Sequence, residues 1–328
     1  MIITRTPLRI SFFGGGTDYP AYYREHGGKV LSTTISTYNY LTIRELPPFF
    51  DHKYRIRYYK SEYKNLLANI EHPSVKACLK FLQIENGIEL VHTGDVPAMS
   101  GVGSSSAFTV GLLHSLYALN GQFVTKRKLA YEAIEIEQKI IGEHVGSQDQ
   151  VAAAFGGFNL VEFFKDNRIV VQPITISQNR LKNLEDSLVL LFTGISRTAS
   201  EVAKTQIKET PKKIKELGQM KEMVEQAIEI LHDTKTSLDE FGKLLNESWK
   251  IKRSITEKIS NSKIDLIYER GLKAGALGGK LLGAGGGGFI LFYVSPSKKN
   301  LLIDQLSDLL HVPFHFESMG SHIVHYSQ

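Results

Sequence analysis

The amino-acid sequence predicts a two-domain fold of mixed helices and strands, in the α/β or α+β class. The chain has 328 residues, and domains of about 100–200 residues are usual. Short strand-like and helix-like segments mix in the first half, whereas the second half opens on a strand near Ser187 and continues with long helical stretches. We place the first domain at residues 1–180 and the second at residues 181–328. The change in pattern is least distinct between residues 171 and 186.

Periodicity and residue type locate the elements of the first half. Alternating apolar residues, or enrichment in Thr, Tyr and Ile, predict strands, whereas apolar residues three or four apart predict helices. The expected strands are 8–13, 35–46 and 88–91, followed by a hairpin of 158–163 and 168–172. The expected helices are 74–84, 104–119 and 128–141.

The second half carries longer helical patterns. A strand at 188–192 precedes helical stretches at 200–232 and 238–259, and Pro211 is expected to kink or divide the first of them. A short helix at 265–273, a glycine cluster, a strand at 289–294, a helix and two final strands complete the chain. The result is the pattern of a two-domain enzyme.

Composition restricts the class of protein. Hydrophobic residues make up 42% and charged residues 22%, which indicates a sizeable core and excludes wholesale disorder. No apolar run approaches the roughly 18 residues of a membrane helix, and Arg5 and Arg9 interrupt the stretch that a signal peptide would need. The single cysteine, Cys78, excludes an internal disulfide and a cysteine-built zinc site. We therefore expect a cytoplasmic protein with no membrane partner.

The charge of the chain is modestly positive. Its net charge is +5 and its pI is near 9.0, but the basic residues form no single dense tract. An enzyme of anionic small molecules accounts for this excess as well as a nucleic-acid binder does. We expect no nucleic-acid partner, and the sequence leaves the oligomeric state open.

A glycine- and serine-rich segment, PAMSGVGSSSA at 97–107, ends in a predicted helix. The two glycines allow tight turns and close approach of the backbone to a ligand. A helix N-terminus offers free N–H donors and a positive dipole end, so the segment predicts an anion site, most naturally for a triphosphate. An ordinary capped helix after a turn is the alternative. The candidate nucleotide-binding residues are Pro97, Ser100, Gly101, Gly103, Ser104, Ser105 and Ser106.

Two further glycine clusters flank this segment in the sequence. Residues 283–288 match GxGxxG, but they run into a strand instead of opening a helix, so we reject a dinucleotide-binding motif. Two interpretations of these glycines are left. They form either a tight hairpin connection or a turn that packs against another glycine loop and a substrate. In the second case Gly285 and Gly286 are the candidate substrate contacts. In the cluster at 14–18, Asp18 is expected to accept hydrogen bonds from sugar hydroxyls, beside Gly16 and Thr17; a solvated turn aspartate is the alternative.

Two carboxylates in residues 135–150 suit phosphoryl transfer. Glu137 lies on a predicted helix, and Asp149 follows a Gly-Ser turn. Transfer from ATP needs charge neutralisation, positioning and often a group near the acceptor hydroxyl. A carboxylate and a serine can hold Mg²⁺, which takes few protein ligands, and a second carboxylate can accept the acceptor's proton. A helix-surface charge and a turn residue are the alternative interpretations.

Four segments, taken in order, resemble the GHMP kinases, the family of galactokinase, homoserine kinase, mevalonate kinase and phosphomevalonate kinase. They are RTPLRISFFGGGTDYP, PAMSGVGSSSA, GSQDQ and KLLGAGGGGF. The resemblance spans nearly the whole chain. It implies an α+β architecture with an N-terminal ATP-binding domain of ribosomal-protein-like α/β fold and a C-terminal ferredoxin-like α+β domain. ATP would lie between the domains, on the 97–107 loop and near the 283–288 loop.

The resemblance also assigns roles to individual residues. Ser105 corresponds to the Mg²⁺-linked serine, and Glu137 to the Mg²⁺ carboxylate. Asp149 corresponds to the catalytic aspartate, and Arg9 to the cation near the transferring phosphate. Asp18 corresponds to the sugar-contacting aspartate of the galactokinase branch. That branch carries a Glu-His pair where this chain has two glycines, which puts galactose in doubt as the substrate.

Within the family, GGGTDYP and VGSQDQ are most similar to the branch that phosphorylates O1 of D-glycero-D-manno-heptose 7-phosphate, on the route to GDP-heptose and bacterial surface polysaccharides. L-fucose kinases are the nearest relatives of that branch. The implied partner is a small-molecule sugar phosphate. A cation must hold its 7-phosphate, with Arg197 as first candidate and Lys29 as second. The alternative for Arg197 is a surface arginine or one that pairs with Glu201 on a helix. An L-fucose-type or other acceptor, or a catalytically silent sugar- or nucleotide-binding regulator, remains open.

Overall fold

Two β-sheets organise the chain in this computed structural model, which describes residues 1–98, 100–195 and 199–327. In this part of the chain the first sheet has nine strands. They are β1 (Ile2–Phe13), β2 (Gly28–Glu45), β3 (Tyr54–Arg57), β4 (Ser61–Lys64), β5 (Ile88–Gly94), β6 (Phe158–Phe163), β7 (Ile169–Pro173), β12 (Phe316–Glu317) and β13 (His322–Tyr326). The second sheet has four strands: β8 (Leu188–Phe192), β9 (Ala276–Leu281), β10 (Phe289–Val294) and β11 (Leu310–His311).

The helices lie between and beside these strands. They are α1 (Pro20–His26), α2 (Pro73–Phe81), α3 (Ser104–Leu119), α4 (Lys126–Glu135), α5 (Gln148–Phe155), α6 (Gln178–Asp186), α7 (Ala199–Glu209), α8 (Ile214–His232), α9 (Asp239–Arg253), α10 (Ser262–Lys273) and α11 (Lys299–Gln305). Short 3₁₀ turns occupy Leu67–Asn69, Thr210–Lys212, Glu257–Ile259 and Pro296–Lys298, and a π-helical turn at Ile136–Ile141 continues α4. No helix in the described ranges is long and apolar enough to cross a membrane.

Strand order brings the two ends of the chain together. The main path of the first sheet is β13-β1-β2-β5-β3-β4, and β6 and β12 also pair with β2. The second sheet follows the order β11-β8-β10-β9 and is antiparallel throughout. The last strand therefore joins the first sheet by pairing with β1, although it follows the second sheet in the sequence.

The predicted α+β class is confirmed, and most expected elements are found. The helix at 104–119 and the strand at 289–294 have the expected bounds, and a break at Thr210–Lys212 divides the long helical stretch at Pro211. The helix expected to reach residue 141 ends earlier, in the π-helical turn. Three short strands, not two, close the chain, and two of them belong to the first sheet. The division at 180/181 stays a prediction.

The core continues between the two sheets. Phe12 and Phe13, at the end of β1, both make edge contacts with Phe241 of α9, at ring-centroid distances of 5.4 and 5.1 Å. All three side chains are fully buried. Because β1 ends at this contact, the first glycine cluster, which follows it, lies next to the elements of the second half.

Candidate active site

A cavity of about 370 Å³ lies where the three glycine clusters meet. Strand β1, the N-termini of α3 and α5, helix α7, helix α9 and strand β9 all contribute to its wall. The lining residues include Arg9, Ser11, Gly15, Gly16, Asp18, Gly101, Gly103, Ser104, Ser105, Ser106, Glu143, His144, Gly146, Gln148, Asp149, Gln206, Lys252, Lys280, Gly283 and Ala284.

A paired arginine and carboxylate lie in this wall. Arg9 of β1 donates from Nε to Asp149 Oδ1 over 2.7 Å and from Nη2 to Oδ2 over 2.6 Å. Its Nη1 donates to the Gly101 carbonyl over 2.6 Å. The guanidinium is buried, whereas a quarter of the Asp149 side chain, in the first turn of α5, is exposed. The bidentate pair therefore fixes the carboxylate against a strand and a glycine loop and leaves it accessible from the cavity.

The N-terminus of α3 opens into the same cavity. Gly103 precedes it with φ 79°, and no side chain caps the first turn. Ser105 is exposed at the wall, whereas Ser106 is buried. A Cβ on Gly103 would lie 3.2 Å from Arg9 Cγ, so a side chain there would press on the arginine. The helix start thus keeps unpaired N–H donors beside the Arg9–Asp149 pair, as an anion site requires.

Glu137 lies beneath this helix start. It is fully buried at the start of the π-helical turn, and its Oε2 accepts hydrogen bonds from Ser106 Oγ over 2.8 Å and from Gln150 Nε2. Burial raises the pKa of Glu137 to about 7. Sequence reasoning pairs Glu137 with Ser105, but the serine that contacts it is Ser106, one residue further along the helix. One turn of α3 therefore presents Ser105 to the cavity and Ser106 to the carboxylate.

The surroundings of Glu137 have the chemistry of a hard-cation site. Its Oε1 makes no hydrogen bond of normal geometry within the described ranges, although the Thr109 hydroxyl lies near enough to oppose the rise in the pKa of Glu137. A carboxylate oxygen beside the Ser106 hydroxyl is the kind of oxygen donor set that Mg²⁺ uses, with few protein ligands. The same ranges contain no group of three or more His, Cys, Asp or Glu side chains arranged for a metal. The residues present therefore fit a cation held largely by phosphate and water.

Asp18 is a buried carboxylate and not a solvated turn residue. Its side chain accepts hydrogen bonds from the backbone N–H of Gly16 over 2.9 Å and of Gln148 over 3.3 Å. Burial and the charge of Asp149 raise the pKa of Asp18, and these N–H groups oppose the rise. Any side chain at Gly146 would collide with it, since a Cβ there would lie 1.9 Å from Oδ2. Asp18 thus joins the first glycine cluster to the turn before Asp149.

The other glycine loops pack back to back. A Cβ on Gly283 would lie 2.6 Å from the Gly101 Cα, so the 283–288 turn crowds against the 97–107 loop as the sequence suggests. Gly283 and Ala284 line the cavity. The candidate residues that do not reach its wall in the described structure are Glu137, which is fully buried, and Pro97, Ser100, Thr17, Gly285 and Gly286. Of these, Thr17 bonds through its hydroxyl to the Gly14 carbonyl, and the Gly286 N–H bonds to Ile259.

Two buried lysines in the wall are not among the residues that the sequence indicates. Lys252 is 4% exposed and donates to the Gly283 carbonyl, and Lys280 is 2% exposed and donates to the Phe12 carbonyl over 2.8 Å. Burial lowers the pKa of both ammonium groups. A signal for each exists in the sequence, because Lys252 interrupts the apolar stripe of α9 and Lys280 interrupts a strand of small and apolar residues.

Two unpartnered polar atoms complete the wall near the first glycine cluster. Ser11 Oγ and Gln148 Oε1 are buried and lack hydrogen-bond partners within the described ranges. A Cβ on Gly15 would lie within 4 Å of both side chains, so they face each other across that glycine. Buried polar groups normally find partners, so these atoms suit the hydroxyls of a bound molecule.

The sequence indicates two candidate residues, Arg197 and Lys29, for binding the phosphate group of the substrate. Arg197 lies outside the described residues. Lys29 donates to Glu225 and lies 3.1 Å from Glu162, away from the cavity. Its charge is therefore already matched by two carboxylates.

Comparison with known proteins identifies the family of the chain. The family model for the GHMP kinases N terminal domain matches residues 73–157, which include α3 and α5, and the GHMP kinases C terminal model matches residues 220–311. The D-glycero-alpha-D-manno-heptose 7-phosphate kinase of Campylobacter jejuni is 34% identical over 326 aligned residues, which cover 93% of each protein. This chain belongs to the GHMP kinase family. It is a phosphotransferase with an alcohol group as acceptor, and the family implies ATP as the donor.

Other GHMP kinases share the whole architecture. A crystal structure named as a D-glycero-D-manno-heptose 1-phosphate kinase from Bacteroides thetaiotaomicron superposes with a TM-score of 0.82 at 27% identity and covers all of both chains. The galactokinase of Pyrococcus furiosus is 25% identical over 93% of this chain and 92% of its own length. The two heptose enzymes are named for different phosphate positions, so the names alone leave the acceptor hydroxyl undecided.

Proposed function

We propose that this GHMP kinase transfers the γ-phosphoryl group of ATP to O1 of D-glycero-D-manno-heptose 7-phosphate. The product is the 1,7-bisphosphate, a precursor for GDP-heptose and surface polysaccharide, made in the cytoplasm. The observation that carries the proposal is the Arg9–Asp149 pair facing the uncapped N-terminus of α3 in one cavity. The 34% identity to the Campylobacter heptose 7-phosphate kinase supports this substrate class.

The transfer needs three groups of this chain. The N–H donors of α3 bind the triphosphate, and Arg9 holds Asp149 at the acceptor. Each Asp149 oxygen accepts one bond from Arg9 and keeps a lone pair for the O1–H group. The bond from O1 to the γ-phosphorus forms as the bond from phosphorus to the β,γ-bridging oxygen breaks. Asp149 receives the O1 proton, and ADP leaves.

Magnesium is the cofactor that we propose for this reaction. Glu137 and the serines at the start of α3 would hold it, because the Glu137 carboxylate lies beside the Ser106 hydroxyl and Ser105 lines the cavity. When bound, Mg²⁺ supplies neutralisation of the triphosphate charge. The carboxylate must then be ionised, so metal binding is expected to release the proton that burial favours on Glu137.

The sugar end of the substrate belongs beside the first glycine cluster. Asp18, Ser11 and Gln148 line that part of the cavity, and the last two offer unpartnered polar atoms. We propose that they bind sugar hydroxyls. Because two carboxylates already neutralise Lys29, Arg197 remains the proposed partner of the 7-phosphate.

Release of ADP with paired acceptors tests the proposed function. Turnover is expected with the heptose 7-phosphate in the presence of Mg²⁺, and not with heptose lacking the phosphate or with Mg²⁺ chelated. Asp149→Asn is expected to keep ATP binding but to lower turnover about 10²–10⁴-fold, the range for general acid–base groups. The matched control is Asp304→Asn, an exposed aspartate on α11.

Two results would contradict these assignments. Equal turnover on unphosphorylated sugar would move the enzyme to the fucose-type acceptors and remove the role of Arg197. A near-normal rate for Asp149→Asn would exclude Asp149 as the group that receives the proton.

A further inference from the structure

Lys252 occupies a position where helix α9 otherwise buries apolar side chains. Phe241, Leu245 and Trp249 precede it at intervals of four residues, and all three are fully buried. A lysine three residues beyond Trp249 continues the same face of the helix. A charged group on such a face is costly unless something compensates for its charge.

Among the described residues, few groups offset the buried positive charge of Lys252. Its Nζ donates one hydrogen bond, to the Gly283 carbonyl over 2.5 Å, and no carboxylate of the described structure lies within ion-pair distance of it. An ammonium group has three N–H donors, so two remain for other partners. The side chain lines the cavity, and a ligand there can supply the missing negative charge.

The position of Lys252 relative to Arg9 indicates which part of a ligand it meets. Lys252 binds the Gly283 carbonyl and Arg9 binds the Gly101 carbonyl, and these two glycines are in direct contact. Two cations from different halves of the chain are thus anchored on touching loops. The carboxylates of Asp18 and Asp149 lie close enough to act on the ammonium charge, and Asp149 is already paired with Arg9. The Arg9 charge is thus matched by Asp149, and the Lys252 ammonium lies in the cavity wall without an ion-pair partner among the described residues.

We propose that Lys252 is a catalytic residue that binds the transferred phosphoryl group, a role that rests on the proposed kinase function. Its ammonium stays protonated and donates to a non-bridging oxygen of the γ-phosphoryl group while the group moves from ADP to the acceptor. No proton transfer by Lys252 is involved. Lys280, whose ammonium is bound to the β1 backbone, positions strand β9 beside it.

Two variants of Lys252 and one control test this role. Lys252→Met is expected to lower kcat about 10²-fold, the usual effect of removing one preorganised donor from a developing charge. Lys252→Arg keeps the charge and should recover part of the rate. The matched control is Lys250→Met, an exposed lysine of α9 paired with Glu247, which should leave kcat unchanged.

Nucleotide affinity separates a phosphoryl contact from a structural role. Lys252→Met should weaken binding of the imido analogue of ATP at least about tenfold, as loss of a charged hydrogen bond does, and leave ADP affinity unchanged. Removing a buried charge that has no ion-pair partner in the described residues should offset the loss of its hydrogen bond to the Gly283 carbonyl, so the melting temperature should change little. Equal losses for both nucleotides together with a lower melting temperature would make Lys252 a structural residue and overturn the proposal.

The pH profile supplies a second readout. Burial, and to a smaller extent the positive charge of Arg9, lowers the pKa of Lys252 to about 8. The negative charges of Asp18 and Asp149 oppose this decrease. The positively charged Lys280 ammonium also faces Lys252. The kcat/KM for ATP should therefore fall above about pH 8, and Lys252→Arg should move this limb to higher pH. An unchanged limb in the arginine variant would argue against the role.

Failure of the proposed function and failure of this inference are distinguishable. If the wild-type protein forms no ADP with any sugar phosphate, the proposed reaction is wrong. The comparison of the imido analogue with ADP needs no acceptor, so it still decides whether Lys252 contacts the γ-phosphoryl group.

Discussion

At the scale of single residues, Glu137 combines complete burial with an incomplete set of hydrogen bonds. Ser106 and Gln150 donate to one carboxylate oxygen, and the other makes no hydrogen bond of normal geometry in the described structure. Burial makes the ionised form unfavourable, which raises the pKa of Glu137 from its ordinary value of 4.5 to about 7. The free protein therefore holds this site partly protonated near neutral pH, and a bound cation would reverse the preference.

This raised pKa predicts how stability varies with pH in the absence of metal. A carboxyl group whose pKa is higher in the folded state binds more protons there, so its contribution to stability grows as pH falls from about 8 toward 5. The contribution is roughly 3 kcal/mol over that window, at about 1.4 kcal/mol per pKa unit. Glu137→Gln should remove this component of the slope. Urea unfolding at several pH values, with chelator present, measures it.

The control for this prediction is Glu135→Gln, which changes an exposed glutamate of α4 paired with Lys139. It should keep the wild-type dependence on pH. A slope in Glu137→Gln equal to that of the control would show that Glu137 titrates near its ordinary pKa.

At the scale of elements, contact between two glycine loops sets the shape of the phosphate-binding region. Gly101 and Gly283 both have positive φ, of 84° and 72°, and each lies where a Cβ would meet the other loop. Lys252 and Arg9 bind the carbonyls of these glycines, so the contact also determines how far apart the two cations lie. Backbone conformation and close packing both require glycine here.

Gly283→Ala is expected to disturb this contact. The left-handed backbone alone costs a residue with a Cβ about 1–3 kcal/mol, and the collision with Gly101 backbone atoms adds to it. We expect weaker ATP binding and a lower free energy of unfolding. Gly121→Ala isolates the backbone term, because Gly121 has φ 65° and open space around its Cα. Titration with ATP should give wild-type affinity for Gly121→Ala; similar affinities for both variants would contradict the importance of the loop contact.

At the scale of the whole molecule, both sheets contribute side chains to a common hydrophobic cluster, and the chain passes between them twice. Phe241 of α9 packs on Phe12 and Phe13 of β1, and the C-terminal strand β13 pairs with residues 2–5 of β1. Lys280 adds a buried hydrogen bond from β9 to the carbonyl of Phe12. The halves are therefore coupled through the strand that carries Arg9.

This coupling predicts a single thermal unfolding transition. Because the cluster that spans both sheets is disrupted when either half unfolds, although the second half also has a cluster of its own, calorimetry should give a ratio of calorimetric to van't Hoff enthalpy near one. Phe241→Ala should lower the melting temperature, with a cost of about 3–5 kcal/mol for losing a buried aromatic ring, and broaden the transition. Exposed Phe123 provides the matched control, since Phe123→Ala should leave the transition unchanged. Two resolved transitions in the wild-type protein would show that the halves unfold independently.

The amino-acid sequence alone determined the secondary-structure features that depend on residues close together in the chain. The start of α3 at Ser104, the division of a helix at Pro211 and strand β10 follow from glycine, proline and apolar periodicity, and the order of the glycine-rich segments identifies the family. These signals lie within a few residues of the feature that they predict, so no distant partner is needed to interpret them.

Tertiary structure alone decided which side chains meet. Arg9 and Asp149 are 140 positions apart, and only the packing of β1 against α5 joins them in a bidentate pair. The π-helical turn and α3 together decide that Ser106, not Ser105, contacts Glu137. Lys252 becomes a site residue because α9 buries it against a glycine loop. Burial and pairing depend on contacts between segments that are distant in the sequence. The periodicity of one segment therefore does not indicate which other segment it will contact.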